Sequence, residues 1–182
     1  MRIGIDIDDT VTNTWEYVLP MHAERFGKGI EELKKGRPYF EAVSDCVSSF
    51  QEYSLVMNDI YKKYKEVLPL KENAVKNINK LYDMGHSIYF ITSRSVTDDE
   101  YEATKRFLDN NNFKYNKLFV GVLNKADMCL KLGIDLFIDD SLKQCREVSN
   151  MGIRTLMFYN TFNRGNDFTY LMSWDDIFKF VK

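Results

Sequence analysis

Short apolar runs recur along the chain, and each ends in polar or acidic residues. The first, "RIGIDI" (2–7), reads as a buried strand whose C-terminal end carries Asp6 and Asp8. Strand signals return at "SIYFITS" (87–93), "KLFVG" (117–121), "DLFIDD" (135–140) and "RTLMFY" (154–159). Helical spacing fills the gaps. Ala74, Ile78, Leu81 and Tyr82 line one face of residues 71–84, and Thr97 with Glu100 forms a capping-box pattern opening a helix to about Asn110. Residues 124–132 and 142–151 complete the series. Gly85, Gly133 and Gly152 each stand between a helix and the next strand, where a left-handed C-cap is needed. Strand–helix alternation of this kind predicts an α/β fold with a doubly wound parallel sheet.

One stretch breaks the alternation. Between the first strand and the helix at 71, "TWEYVLPMHAERFG", "GIEELKKG" and "VSSFQEYSLVMNDIYKKYKEVL" look helical, and none reads as a strand. A structureless loop of that length is improbable. The expectation is an α/β core of residues 1–13 and 70–182 with a helical cap subdomain, 14–69, inserted after the first strand. Its place is over the C-terminal edge of the sheet, where open α/β proteins bind ligands. The Lys and Glu run at 62–66 is expected to be a solvated helix face, and His22 a structural residue on an apolar helix face.

Composition narrows the partners. The 182 residues suffice for one sizeable core with a small appendage. A formal net charge of −2 argues against a polynucleotide partner, which needs a basic face. No run approaches the roughly 20 apolar residues of a membrane span, and the opening apolar run is broken by Asp6 and Asp8, unlike a secretory signal. Cys46, Cys129 and Cys145 are odd in number and far apart, as expected of reduced thiols in a cytoplasmic protein.

If the runs are parallel strands, Asp6, Asp8, Asp139 and Asp140 reach one edge of the sheet. Like charges about 4 Å apart repel by about 4 kcal/mol at an effective dielectric near 20. A hard divalent cation with oxygen ligands compensates, and magnesium suits a site of few carboxylates, waters and a substrate phosphate. Thr92, Ser93 and Arg94 end another strand, where a hydroxyl can donate to a phosphoryl oxygen. Lys125, at a helix start, can neutralise a phosphoryl group and a nucleophilic carboxylate.

In their order these residues resemble the haloacid dehalogenase superfamily. "IGIDIDDTV" (3–11) matches its first motif, "YFITS" (89–93) the second, Lys125 the third and "LFIDD" (136–140) the fourth. Asp9 stands where many members have Gly, and Asp tolerates the unusual backbone angles of such a turn. Within the superfamily, "DIDDTVTNTW", "ITSR", "LFIDDS" and the closing "LMSWDDIFKFV" are similar to the 5′(3′)-deoxyribonucleotidases and the bacterial nucleotidases grouped with them. The resemblance implies a Rossmann-like core and a magnesium-dependent phosphomonoester hydrolase acting on a small phosphorylated substrate, a nucleoside monophosphate. It implies Asp6 as nucleophile and Asp8 as acid and base. Metal contacts come from Asp6, the Asp8 carbonyl and Asp139, with Asp140 either a metal contact or a group orienting Lys125 or a metal-bound water. Thr92 and Lys125 bind the transferring oxygens. Trp15, Tyr39 and Phe40 are candidates for stacking on a base, and Arg94 for a second substrate contact or for pairing with an acid of "TDDE" (97–100).

Rival expectations remain. A sugar phosphate could replace the nucleotide. A response-regulator receiver also combines acids, a hydroxyl and a lysine on a doubly wound sheet, but its phosphoacceptor ends the third strand and its fold has no room for the inserted cap. A catalytically silent binding protein would not need the full motif set. Monomer and homodimer are equally compatible with the sequence.

Overall fold

The computed structural model describes residues 1–33, 46–49, 51–52, 55–56, 64–95 and 97–181. Over these, the elements run β1 (Arg2–Ile5), α1 (Thr14–Phe26), α2 (Ile30–Leu33), α3 (Ala74–Asp83), β2 (Ser87–Ile91), α4 (Asp98–Asn110), β3 (Lys117–Phe119), α5 (Lys125–Leu132), β4 (Leu136–Asp139), α6 (Leu142–Asn150), β5 (Arg154–Phe158) and β6 (Tyr170–Leu171). A 3₁₀ helix, Trp174–Lys179, follows. The strands form a 6-stranded sheet in the order β3-β2-β1-β4-β5-β6, and each pairing is parallel. All five strands read from the apolar runs are present. β6 was not read, because two residues are too few to show a pattern.

Alternation along the strands builds two apolar layers. Ile3, Ile5, Ile88, Phe90, Leu136 and Ile138 join the larger cluster, while Ile91 and Phe137 join a second with Ala126, Cys129 and Val148. The sheet is therefore buried on both faces, which the continuous apolar runs require. Thr97 accepts the Glu100 amide at 3.2 Å to open α4, as the capping pattern predicts. Gly133 ends α5 with φ of +62°, and the amide of Ile134 reaches the Cys129 carbonyl at 3.0 Å.

The chain leaves the sheet after β1 and returns before α3 through two strands of backbone lying side by side. The amide of Asn13 donates to the Pro69 carbonyl at 2.8 Å, and that of Lys71 to the Val11 carbonyl at 2.8 Å. Between these points α1 and α2 are helical as expected; Tyr39 and Phe40 lie outside the described residues. One expectation is corrected: Lys65 is buried and pairs with Glu100 at 2.8 Å. Glu66 of the same run is exposed as expected, and charge type alone does not reveal that Glu100 of α4 reaches Lys65.

Candidate active site

Because β1 lies between β2 and β4, the residues just beyond these three strands are neighbours. Asp6 follows β1 and is fixed by its own amide, which donates to the Ile138 carbonyl at 2.9 Å. Asp139 ends β4, and its Oδ1 accepts the Ser141 amide at 2.8 Å. Lys125 opens α5 beneath an Asn124 cap, whose Oδ1 accepts the Asp127 amide at 3.1 Å. The Lys125 ammonium donates to Asp6 Oδ1 and, at 2.7 Å, to Asp139 Oδ2. All three side chains are buried. Thr92, just beyond β2, is buried beside them and held by its amide to the Phe119 carbonyl at 2.9 Å.

The charges do not balance. Burial pushes the Asp6 carboxyl up to about 7; Lys125 pulls it down, while Asp139 and Asp8 add to the rise. Burial, then Asp9, Asp139 and Asp6, hold Asp140 well above the usual carboxylate range. For Lys125, burial would favour the neutral amine, but Asp139 and Asp6 outweigh it and keep the ammonium. One ammonium thus faces a surplus of buried acids. Asp6, Asp139 and Asp140 each offer an oxygen within 4.8 Å of the others. Two oxygens on one magnesium ion, each about 2.1 Å away, stand at most about 4.2 Å apart. The three acids therefore fit a hard divalent cation with little adjustment. All the donors are oxygens, and the uncompensated negative charge is of the sign such an ion relieves.

No family model matches the chain. A nucleotidase of Clostridium acetobutylicum is 26% identical over 188 residues, spanning 100% of this chain and 93% of that protein. A candidate 5′(3′)-deoxyribonucleotidase of Chlorobaculum tepidum is 23% identical over 200 residues, covering 99% of this chain and 89% of its own length. Among solved structures, a haloacid dehalogenase-like hydrolase of Streptococcus pneumoniae superposes with a TM-score of 0.71 at 13% identity, covering 100% of this chain and 98% of the other. The chain has the haloacid dehalogenase fold. The resemblance read from four short motifs therefore extends over the whole chain.

Within that fold the other sequence-selected residues separate into two groups. Asp8 does not join the buried acids. Arg94 clamps it with two hydrogen bonds of 2.9 Å, from Nε and Nη2, and Thr14 donates to it at 2.9 Å. The Arg94 side chain is 1% exposed, against 25% for Asp8. Arg94 thus pairs with an acid not considered for it, the one two residues past Asp6. Ser93 is exposed and donates to the Val122 carbonyl at 2.9 Å. Trp15 is buried, its amide bonded to Asp9 Oδ1 at 2.9 Å and its ring edge-on to Phe162.

Several further residues support the site, of which Asn160 and Asn163 were not singled out by sequence. Asp9 takes φ of +57°, the strained turn foreseen for it, and burial pushes its carboxyl up to about 7. Trp174, of the closing Ser-Trp-acid segment, is buried and donates to the Thr10 carbonyl at 3.1 Å, bracing the turn after Asp6. Asn160 donates to Asp140 Oδ2 at 3.1 Å, and Asn163 to the Asp140 carbonyl at 2.8 Å. The acids, Thr92, Ser93, Arg94 and the 162–167 loop line one cleft of about 1110 Å³. Small-molecule pockets run to about 300–1,000 Å³, so this one has room for far more than a phosphoryl group. Among the described residues no helix is long and apolar enough to cross a membrane.

Proposed function

We propose that this chain hydrolyses phosphomonoesters through an aspartyl-phosphate on Asp6, with magnesium as cofactor and nucleoside monophosphates as substrates. The observation that carries the reading is the convergence of Asp6, Thr92, Asp139 and Asp140, from the ends of three strands, with Lys125, from a helix start, in one cleft. The cap assignment of 14–69 belongs to the same proposal: a segment joined to the core by two adjacent connections can cover the cleft.

In the first step a carboxylate oxygen of Asp6 attacks phosphorus, forming a P–O bond as the ester P–O bond breaks. The electron pair leaves with the alcohol oxygen, which takes a proton from the Asp8 carboxyl. In the second, water attacks phosphorus, Asp8 accepts its proton, and the Asp6–phosphorus bond breaks to release inorganic phosphate and the Asp6 carboxylate. Lys125 and Thr92 donate to the phosphoryl oxygens throughout. Asp6, Asp139 and Asp140 would hold the cation, together with the Asp8 carbonyl. When bound, it supplies positive charge that lets an anionic nucleophile approach an anionic ester. Arg94 holds the Asp8 carboxyl by two hydrogen bonds in the structure as it stands. To act as acid, Asp8 must turn from Arg94 toward the leaving oxygen.

The nucleotide assignment is supported by the names of the relatives and by the size of the cleft. A magnesium-dependent phosphate-release screen over nucleoside monophosphates and sugar phosphates tests it, with Asp6→Asn as control. Turnover should require the metal, fall on chelation and favour nucleotides. Full activity in Asp6→Asn would end the nucleophile assignment, and a preference for sugar phosphates would end the nucleotide one.

A further inference from the structure

We propose that Phe162 is the surface on which the base of the substrate stacks, an inference that rests on the nucleotidase reading. Among the described residues, Phe162 is the one aromatic side chain lining the cleft that also contains Asp6 and Lys125. The rest of the lining is mostly charged or polar. Among the described residues, a ligand whose phosphoryl end sits on the acid and lysine floor therefore meets one aromatic face, and that face is this ring.

The ring is held in place from two directions. Behind it, buried Trp15 packs at a centroid separation of 6.4 Å with planes at 79°, an edge-on contact that fixes the tilt of the Phe162 ring. Beneath it, Asn160 Oδ1 accepts the amides of Phe162 at 3.1 Å and Asn163 at 3.0 Å. The same Asn160 side chain donates to Asp140, and Asn163 donates to the carbonyls of Asp140 and, at 2.7 Å, Phe158. The short loop that presents the ring is thus tied to an acid of the site floor. Ordering a stacking surface before the ligand arrives lowers the cost of binding.

The loop also predicts what the ring cannot do. The amides of Asn160, Asn163 and Asn166 are engaged within the loop and with Asp140. Those three amides are therefore committed to holding the loop rather than to reading the edge of a base. Stacking is tolerant of base identity, so purine and pyrimidine monophosphates should both be accepted. The gain expected from one aromatic platform is about 5- to 150-fold.

The test compares kcat/KM for dAMP, dTMP and 2-deoxyribose 5-phosphate in the wild type, Phe162→Leu, Phe162→Ala and Phe162→Tyr, with thermal melting of each. Leu keeps apolar bulk without a π face and guards against collapse of the Ala variant. The stacking role predicts at least about a 5-fold loss on both nucleotides in Phe162→Leu, carried mainly by KM. It predicts little change on 2-deoxyribose 5-phosphate, and recovery in Phe162→Tyr. Equal losses on substrates with and without a base would overturn the proposal, as would unchanged nucleotide kinetics in a folded variant. A wild type without preference for nucleotides over 2-deoxyribose 5-phosphate would overturn the nucleotidase reading along with it. A preference that survives Phe162→Leu overturns the stacking alone.

Discussion

The two ends of the same sheet use the same kinds of residue to opposite effect. At the N-terminal edge, Arg2 bonds Asp135 through its amide at 2.7 Å and the Leu132 carbonyl through its guanidinium at 2.9 Å, both in exposed positions. Nearby, Lys114 meets Asp83 at 2.8 Å with both side chains at least half exposed. At the C-terminal edge Lys125 is buried with Asp6 and Asp139, and acids outnumber cations around it. Water screens the first set, and such pairs contribute about 0–1 kcal/mol each. The second set has no such relief, and its imbalance persists unless a ligand supplies charge. What marks the candidate site is uncompensated buried charge, which residue type alone does not reveal.

The largest contrast should come from Asp6→Asn. Phosphate release should fall by about 10⁴-fold or more, the scale of removing a nucleophile. Melting at neutral pH should not fall, because the amide replaces a carboxyl that burial already disfavours as an ion. Lys125→Met comes next. Removing the ammonium leaves Asp6 and Asp139 without their shared cation, a loss of about 3–5 kcal/mol for a broken buried pair. Turnover should drop with it. Added magnesium should restore part of the melting temperature but not the activity, since it binds the folded state alone. An unchanged melting temperature in Lys125→Met would erase the distinction between the two ends.

The acid edge was legible because apolar runs announce strands and acids at their ends announce an edge; Asp6 and Asp139 needed no more than that, while Thr92 and Lys125 stood out through their place in the ordered series of motifs. What stayed hidden depends on contacts no local pattern encodes. Arg94 and Asp8 are 86 residues apart, and their clamp exists only once β1 and β2 pair. Asn160, Phe162 and Asn163 sit in a polar loop without periodicity, so nothing in the sequence tied them to Asp140. Trp15 looked available for stacking because an aromatic near a motif carries no sign of its depth. The buried Lys65–Glu100 pair hid for the same reason.

The pH dependence of melting separates the two ends further. Asp6 and Asp9 stand near 7 when folded, against an ordinary value of 3.8. Over that interval the folded state holds more protons than the unfolded state, so stability falls as pH rises from about 4 to about 7. His22 has the opposite sign. Burial, with Arg25, lowers it from 6.5 to about 4, so its contribution is lost as pH falls through that window. Magnesium distinguishes them, because it acts on the acids and leaves His22 untouched. Calorimetry should record a melting temperature that declines toward pH 7 without magnesium and a shallower decline when magnesium is added, the Asp9 share remaining. Superimposable curves would show that the acid edge holds no such charge surplus.

The smallest effect is expected from Arg2→Met at the opposite edge. Its guanidinium caps the last carbonyl of α5, an exposed contact at a helix C-terminus worth about 0.3–1 kcal/mol. The amide of residue 2 still reaches Asp135 after the substitution, so the register of β1 against β4 is kept. Melting should shift by about 4 °C at most, what that energy gives in a chain of this size, and kcat and KM should not move. A loss of turnover in this variant would mean that β1 transmits changes from one edge to Asp6 at the other. The two ends would then be one coupled unit rather than a scaffold end and a chemical end.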